Sequence, residues 1–390
     1  MATPRAVAFL EYVPLRLAVG LVDLLPVGTA LALARGFGRA TWALLRKRRR
    51  TATENVLLAG LAADRAEAER IARASFESFA MLSVESLKAS KLLTPETAPE
   101  HVVYEIPAET RALFEKPGQP VILASAHLGN WELSGHLISF TKPLVAVARN
   151  LDNPYAQRFL QRRNPRRRIE IVAKHSKDRL ALLRPLRTGK LLGLICDQHA
   201  ASNGVVVPFF GHPASTVASP ARLHLATGAP IVFGVCFRTG PMKFLMAASE
   251  PIRVEPTGDR DADGRAITLA VNEVTERFVR RFPEQYLWAH RRWRAPRAWP
   301  SGGTRRAFFA LAPQGAFCYP PARSTRLFPL ARQTPARGDA DHTHSTKERP
   351  SPHASIRSHR NRRKAVSRPG RRHDRNRTPS RREGRDGRDR

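Results

Sequence analysis

The chain has 390 residues, and 42% of them are hydrophobic, which is enough for a folded core and excludes a chain that is disordered throughout. Its 66 Lys and Arg outnumber its 33 Asp and Glu, and the net charge of +33 favours an anionic partner: phosphate groups, acidic lipid headgroups or nucleic acid. The 3 cysteines are widely spaced, which excludes a disulfide framework or a cysteine zinc cluster and fits a reducing compartment.

Residues 6–34 are mostly apolar, but prolines and charged residues such as Pro14 and Asp23 interrupt them. A membrane-spanning helix needs about 20 uninterrupted apolar residues, and no cleavable signal peptide is recognisable here. An interfacial or re-entrant helix, a poor membrane span and a buried core helix all fit this pattern. The basic cluster at 46–50 would lie well against anionic headgroups, so we predict a membrane-associated helical segment over residues 1–50.

The middle of the chain alternates between short apolar runs and helix-length stretches, after one long predicted helix at 62–93. This alternation predicts an α/β domain over residues 51–300, with a central, mostly parallel sheet flanked by helices. The predicted strands are 120–126, 143–148, 169–173, 191–196, 230–237 and 243–248. The predicted helices that follow or separate them are 131–140, 153–163, 176–188, 217–227 and 266–282.

Residues 301–390 differ in composition from the rest of the chain. They hold 23 Lys and Arg against 7 Asp and Glu, and few of their side chains are apolar. Such a segment cannot bury enough surface to offset its ordering entropy, so we predict a disordered, Arg-rich tail. An alternative hypothesis from another class is a basic nucleic-acid-binding protein that acts through this tail. The composition also fits out-of-frame or read-through translation of GC-rich coding sequence.

The sharpest chemical signal is the segment that runs from Ser125 to Glu132, SAHLGNWE, which follows an apolar run and opens a predicted helix. His127 lies at the carboxyl end of a predicted strand, where ligands gather in α/β sheets. A carboxylate bonded to one imidazole nitrogen fixes the tautomer and raises the basicity of the other nitrogen. We therefore predict that His127 acts as a general base on a hydroxyl group and that Glu132 orients it. The alternative is a turn with a satisfied histidine, in which Asn130 caps the helix.

The sequence HLGNWE resembles the His-x4-Asp/Glu motif of the glycerolipid acyltransferase superfamily. In its Gly-Asn-Trp-Glu form it is similar to the bacterial late acyltransferases of lipid A biosynthesis, the lauroyl and myristoyl transferases, and to the related phosphatidylinositol mannoside acyltransferases. Further blocks agree in order, and the resemblance spans residues 5–297, so that the tail lies outside it. These blocks are 147–150, 196–198, 204–214, 227–230 and 283–293.

This resemblance implies transfer of a fatty acyl chain from a thioester, on acyl carrier protein or coenzyme A, to a hydroxyl of a membrane glycolipid. A lipid A precursor is the favoured acceptor, a phosphatidylinositol mannoside is the alternative, and no cofactor is implied. The expected location is the cytoplasmic face of the bacterial inner membrane. His127 would deprotonate the acceptor hydroxyl, and Glu132 would stabilise the imidazolium. Backbone amides near Gly129 and Asn130 are candidate donors to the oxyanion.

Other polar residues are predicted to bind substrate beside this pair. Arg149 would hold a phosphate of the acceptor or of the phosphopantetheine donor, or else be a solvated residue at a strand end. Asp197 would orient the acceptor sugar or fix its own turn, and Asn130 is a further substrate-binding candidate. Phe209 and Phe210 would either shape the acyl pocket or belong to the core. No cluster of metal ligands is visible in the sequence.

Overall fold

The computed structural model describes residues 5–148, 151–162, 169–173, 178 and 180–294. The predicted tail over 301–390 and the predicted site residue Arg149 lie outside these residues. The helices are α1 (Arg5–Leu24), α2 (Val27–Leu44), α3 (Arg46–Leu58), α4 (Arg65–Leu92), α5 (Ala98–His101), α6 (Ala108–Glu115), α7 (Trp131–Thr141), α8 (Pro154–Arg162), α9 (Leu183–Arg187), α10 (Ser219–Thr227) and α11 (Arg260–Arg281). The strands are β1 (Val102–Glu105), β2 (Val121–Ser125), β3 (Leu144–Ala148), β4 (Ile169–Ala173), β5 (Leu191–Ile195), β6 (Gly204–Phe209), β7 (His212–Val217), β8 (Ile231–Gly240) and β9 (Lys243–Ala248).

The apolar segment at the amino terminus forms two helices, α1 and α2, which are separated around Pro26. Within the described part of the chain, no helix is long and apolar enough to cross a membrane. The predicted boundary at residue 50 falls inside α3, whose first turns carry the basic cluster. Helix α3 therefore crosses the predicted boundary between the first two segments, and α2 packs along α4.

Helix α1 is held at both ends by side chains from later in the sequence. The Lys88 ammonium donates hydrogen bonds to the carbonyls of Leu25, at 2.7 Å, and Asp23, at 3.3 Å. Near the other end, the Asn153 amide donates to the Ala8 carbonyl at 2.6 Å. Because helix ends leave carbonyl groups without partners in the helix, the contact from Lys88 satisfies groups that would otherwise need water.

The long predicted helix is confirmed as α4, and its first turn shows why it begins where it does. The Asp64 carboxylate accepts the backbone N–H of Glu67 at 2.8 Å, and the Glu67 carboxylate accepts the N–H of Ala63 at 2.9 Å. This reciprocal arrangement resembles a capping box and satisfies two donors at the start of the helix. Apolar residues such as Ile71 and Leu82 are buried, and charged residues such as Arg73 are exposed, although Glu85 and Lys88 of the same helix are buried.

The central sheet has seven strands in the order β1-β9-β8-β2-β5-β3-β4. All neighbouring pairs are parallel except β8 and β9, which form an antiparallel hairpin. The predicted α/β architecture with a mostly parallel sheet is thus confirmed. Strand β2 lies between β5 and β8, and all its residues are buried. Ile122 and Ala124 belong to one hydrophobic cluster and Val121 and Leu123 to another, so the sheet buries both of its faces.

Two parts of the sheet structure are absent from the sequence prediction. The first is the short edge strand β1, in which only Val102 is buried. The second is the separate β6–β7 hairpin, whose turn residues Phe210 and Gly211 have φ values of 49° and 72°. Such positive values fit a tight two-residue hairpin turn. Its strands contain Pro208 and Pro213. Because proline lacks a backbone N–H, its presence argues against a strand when only the sequence is considered.

Candidate active site

Two neighbouring parallel strands bring His127 and Asp197 together. Ser125 at the end of β2 pairs with Ile195 at the end of β5, and His127 and Asp197 each lie two residues further along. The Nδ1 atom of His127 is 2.8 Å from Oδ1 of Asp197. The backbone N–H of His127 donates to the other carboxylate oxygen at 3.1 Å. Two bonds from one residue therefore fix the carboxylate against the imidazole.

This contact sets the protonation pattern of the imidazole. Because a carboxylate only accepts hydrogen bonds, the proton of neutral His127 lies on Nδ1, and Nε2 keeps its lone pair. The side chain of Asp197 is 4% exposed, whereas that of His127 is 20% exposed. The acid is thus buried behind the base, and the accessible part of the pair is the imidazole. A histidine held in this way can take a proton from a bound hydroxyl.

The surroundings of Asp197 keep it ionised. Burial by itself raises the pKa of Asp197, but the hydrogen bonds from His127 and the charges of His127 and Arg292 together hold that pKa below its usual value. Burial, followed by the charge of Asp197, raises the pKa of Tyr286 well above its usual value. Arg292 itself is buried and donates to the carbonyl of Ser215, at 2.8 Å, and to the hydroxyl of Thr216, at 2.7 Å.

The turn after His127 is fixed by backbone contacts. Gly129 has a φ of 60°, and a Cβ there would lie 2.2 Å from the carbonyl oxygen of Cys236. Its N–H donates to the carbonyl of Gln285 at 3.0 Å, and the N–H of Asn130 donates to the carbonyl of Cys236 at 2.7 Å. Of the candidate amides near Gly129 and Asn130, the N–H groups of these two residues therefore already have protein acceptors.

Asn130 caps α7, as one alternative predicted. Its side-chain oxygen accepts the N–H of Leu133 at 2.9 Å and the hydroxyl of Ser86 at 3.1 Å, and its amide donates to Glu85 at 3.1 Å. The residue is fully buried. The side chain of Asn130 thus makes its hydrogen bonds within the protein, and it has no solvent-accessible surface with which to contact a substrate.

Glu132 does not contact His127 in the described part of the structure; the carboxylate that does so belongs to Asp197. Glu132 lies in the first turn of α7 and is exposed. The left-handed turn at Gly129 and the cap at Asn130 set the start of this helix, and the ring of Trp131 packs against the imidazole instead, with centroids 4.9 Å apart. The motif therefore placed His127 correctly at a strand end, but the carboxylate that contacts its Nδ1 belongs to Asp197 and not to Glu132.

Two further residues next to the imidazole escaped the sequence analysis. The side-chain nitrogen of Gln198 lies 3.4 Å from Nε2 of His127, on the side that carries the lone pair. His290 accepts the backbone N–H of His199 on its Nε2 at 3.1 Å. Burial, opposed in part by the charge of Asp197, lowers the pKa of His290 to about 4, so this imidazole is neutral at pH 7. Gln198 directly follows the predicted site residue Asp197, and this position in the sequence was enough to make it a candidate for the site.

The remaining candidates lie in the core or outside the described residues. Phe209 and Phe210 are buried and pack against each other, with Phe209 also beside Trp293. They therefore belong to the hydrophobic core. Arg149 lies outside the described residues, so its predicted phosphate contact stays a prediction. Among the residues that the structure describes, no group of three or more His, Cys, Asp or Glu side chains is arranged to hold a metal ion.

A large apolar cavity lies close to the imidazole. Its volume is about 870 Å³, and α1, α2, α4 and the segment 287–290 form most of its wall. Phe79 in this wall packs against Trp131, with centroids 5.9 Å apart, and Trp131 in turn packs against His127. His290 also lines the cavity. The lining side chains are mostly apolar: Ala18, Leu21, Val22, Leu25, Ala30, Leu33, Ala34, Phe37, Leu45, Phe76, Phe79, Ala80, Val84, Leu287 and Ala289.

Comparison with known families decides what kind of protein carries this site. The family model described as "Bacterial lipid A biosynthesis acyltransferase" matches residues 7–295. The chain belongs to this family. It is therefore an acyltransferase, and the match covers every described residue of the His127–Asp197 site. The resemblance predicted from the HLGNWE motif and its companion blocks is confirmed.

Curated relatives support the same assignment for this lipid A acyltransferase family member. The chain is 24% identical to a lipid A biosynthesis lauroyltransferase of Escherichia coli (strain K12) over 287 residues, which is 72% of this chain and 90% of the relative. It is 29% identical to a phosphatidylinositol mannoside acyltransferase of Mycobacterium tuberculosis over 128 residues, or 32% of this chain and 40% of that relative. Both relatives are glycolipid acyltransferases by name.

Proposed function

We propose that the chain transfers a fatty acyl group from an acyl thioester to a hydroxyl of a membrane glycolipid, with His127 as the general base. The observation that carries this proposal is the imidazole at the end of β2, whose Nδ1 is bonded to a buried carboxylate and whose Nε2 keeps its lone pair. This arrangement needs no nucleophile from the protein, because the acceptor hydroxyl is itself the attacking group.

The reaction follows from this geometry. Nε2 of His127 takes the proton as the hydroxyl oxygen attacks the thioester carbonyl carbon, which gives a tetrahedral oxyanion. When this intermediate collapses, the C–S bond breaks, and the imidazolium returns its proton to the thiolate. Asp197 stabilises the imidazolium between these steps, because it stays ionised in its buried position. Glu132 is exposed at the start of α7. It is therefore accessible to the substrate, in a role separate from that of the His127–Asp197 pair.

The apolar cavity supports a long-chain substrate. It is lined mostly by aliphatic and aromatic side chains, and its wall residue Phe79 packs against Trp131, which packs against His127. Apolar clefts with few polar groups are typical of sites for lipid-like ligands. We place the acyl chain of the donor in this cavity, so that the thioester carbonyl lies near His127. The donor is acyl carrier protein or coenzyme A, and the cavity serves either one because both present the same thioester.

A lipid A precursor is the proposed acceptor, and a phosphatidylinositol mannoside is the alternative. The similarity to the lauroyltransferase extends over 287 residues, whereas that to the mannoside acyltransferase extends over 128. The proposed location is the cytoplasmic face of the bacterial inner membrane, supported by the apolar surface of α1 and α2 and the basic cluster that follows them. An anionic membrane surface is the partner that this combination fits.

The test is an acyl-transfer assay with purified full-length protein, both donor types and both acceptor lipids. We expect acylation of a lipid A precursor by the wild type, and a loss of about 10²–10⁴-fold in kcat for His127→Gln, as is usual when a general base is removed. His224→Gln is the matched control, because His224 lies on α10, away from the site, and bonds only locally to the Ala229 carbonyl. A His127→Gln protein that keeps wild-type kcat would overturn the assignment of the base.

A further inference from the structure

The proposed reaction creates a negative oxygen beside His127, and three backbone N–H groups of the adjoining turn already have other acceptors. An oxyanion of this kind needs a hydrogen-bond donor held in place before the reaction. The N–H groups of Gly129 and Asn130, which the turn would otherwise offer, are already bonded to the carbonyls of Gln285 and Cys236. The N–H of His127 itself is bonded to Asp197. These three N–H groups therefore do not supply the donor.

Two polar side chains lie behind the imidazole, on the side of the acid. The charge of Asp197 contributes, after burial, to the raised pKa of Tyr286. The guanidinium of Arg292 is buried; its terminal nitrogens donate to Ser215 and Thr216, and its Nε has no hydrogen-bond partner among the described residues. The charge of Arg292 helps to lower the pKa of Asp197.

Gln198 is a polar side chain that lies against Nε2 of His127. Its amide nitrogen lies 3.4 Å from Nε2 of His127, a long contact that holds the amide loosely. The amide nitrogen carries two protons, so it can donate to a second acceptor without leaving its position. Nε2 is the atom that receives the proton of the acceptor hydroxyl. The carbonyl that this hydroxyl attacks must therefore lie within reach of the Gln198 amide.

We propose that the side-chain amide of Gln198 is an oxyanion donor of this acyltransferase. As the new C–O bond forms, the carbonyl π electrons move onto the oxygen, and the Gln198 N–H donates a hydrogen bond to it. When the C–S bond breaks, the carbonyl re-forms and the proton on His127 passes to the thiolate. In the resting site the same amide lies against Nε2 of His127. This inference rests on the proposed function.

The test compares Gln198→Ala with the wild type in the same assay, using full-length protein. We expect kcat to fall by about 10²–10³-fold, as for the loss of one oxyanion donor, while KM for the thioester changes little. An acyl trifluoromethyl ketone, whose hydrate in water is tetrahedral and resembles the intermediate, should lose affinity in parallel with kcat. A non-reactive amide analogue of the donor should bind Gln198→Ala and wild type alike, because it mimics the ground state.

Several outcomes would overturn the inference. One is a kcat for Gln198→Ala close to that of the wild type. Another is an equal loss of affinity for the amide analogue and the ketone, which would indicate a purely structural role. A large loss of kcat and ketone affinity in His290→Gln but not in Gln198→Ala would assign the donor to His290 instead. If the wild type transfers no acyl group to any acceptor, the proposed function itself fails, and this result is distinct from an active wild type with an unaffected variant.

Discussion

Asp197 has almost no contact with solvent, so its charge depends on its neighbours. His127 donates to both carboxylate oxygens, one from its backbone N–H and one from its ring. Without such donors, burial would favour the neutral acid. With them, the carboxylate stays ionised at neutral pH and holds the imidazole in one tautomer. The base therefore depends on its acid for both orientation and charge, which makes the two side chains one functional unit.

This dependence gives a test that separates the two carboxylates of the site. We expect Asp197→Asn to lower kcat by about 10²–10⁴-fold, since the amide keeps the shape but no longer fixes the tautomer or stabilises the imidazolium. Glu132→Gln should retain general-base catalysis, because Glu132 is exposed and does not contact the imidazole in the described structure. The measurement is kcat and KM for both variants across pH.

Two results of that experiment would change the assignment. Wild-type kcat in Asp197→Asn would show that the acid is dispensable. A collapse of kcat in Glu132→Gln with an unchanged pH profile would give Glu132 a role in substrate binding or transition-state stabilisation. In that case the prediction from the motif would be right about the residue and wrong about its contact with His127.

The pairing of His127 with Asp197 illustrates what the sequence could and could not provide. Both residues were recognised as following strands, and each lies two positions after its strand ends. Their contact spans 70 residues of sequence, and it requires β2 and β5 to be neighbours. Strand order is set by the packing of the whole sheet, so local spacing favoured Glu132, which is only five residues from His127.

At the scale of secondary structure, the strands of the buried sheet were the most predictable elements. Parallel strands covered on both faces need continuous apolar runs, and β2 and β5 have them. The β6–β7 hairpin was missed because its strands contain prolines and lie outside the main sheet. Helix α4 was recognised because its apolar residues recur at helical spacing, and its charged residues lie between them.

Helix α4, strand β8 and the start of α7 meet at a buried ion pair. Glu85 on α4 is fully buried, and Arg238 on β8 has a side chain that is 12% exposed. Arg238 Nη2 lies 2.9 Å from Oε2 of Glu85, and the same carboxylate oxygen accepts the Asn130 amide. This pair therefore supports the cap of α7 from below and, through it, the turn that presents His127.

We expect Arg238→Met to cost about 3–5 kcal/mol of unfolding free energy, because it leaves a buried carboxylate without its partner. Combining it with Glu85→Gln should restore much of this loss, since no unpaired charge remains and the Gln oxygen still accepts from Asn130. Arg253→Met is the control: its ion pair with Glu109 is exposed and should be worth about 0–1 kcal/mol. Denaturant unfolding measures all three, and equal losses in Arg238→Met and Arg253→Met would contradict the argument.

At the scale of the molecule, the amino-terminal helices present an unusual surface. Large apolar side chains are exposed on α1 and α2, and a basic run begins α3. The most exposed of these side chains are Leu10, Leu17, Leu24, Phe37 and Leu44. A surface that combines exposed aliphatic groups with adjacent cations suits the interface of an anionic bilayer. The helices that carry it also wall the cavity beside the site, so the same element would meet the membrane and receive the acyl chain.

We expect full-length protein, and a form truncated after residue 300, to float with vesicles that contain anionic lipid. The family match ends at residue 295, so the truncated form should also keep its acyltransferase activity. Leu17→Glu with Leu24→Glu should weaken vesicle binding by placing charge on the apolar surface, whereas Val103→Glu on the edge strand β1 is the control. Loss of binding only on truncation would assign the contact to the tail, and unchanged binding of the double variant would exclude this helical surface.

The register between β2 and β5 has a consequence for how this enzyme regains activity after unfolding. A slip of one residue in a strand pairing reverses which side each following group faces. A refolded molecule with that error would keep its helices and much of its compactness, yet the imidazole would lack its acid. After refolding, recovery of acyltransferase activity is therefore a stricter test of the native β2–β5 register than recovery of the circular dichroism signal.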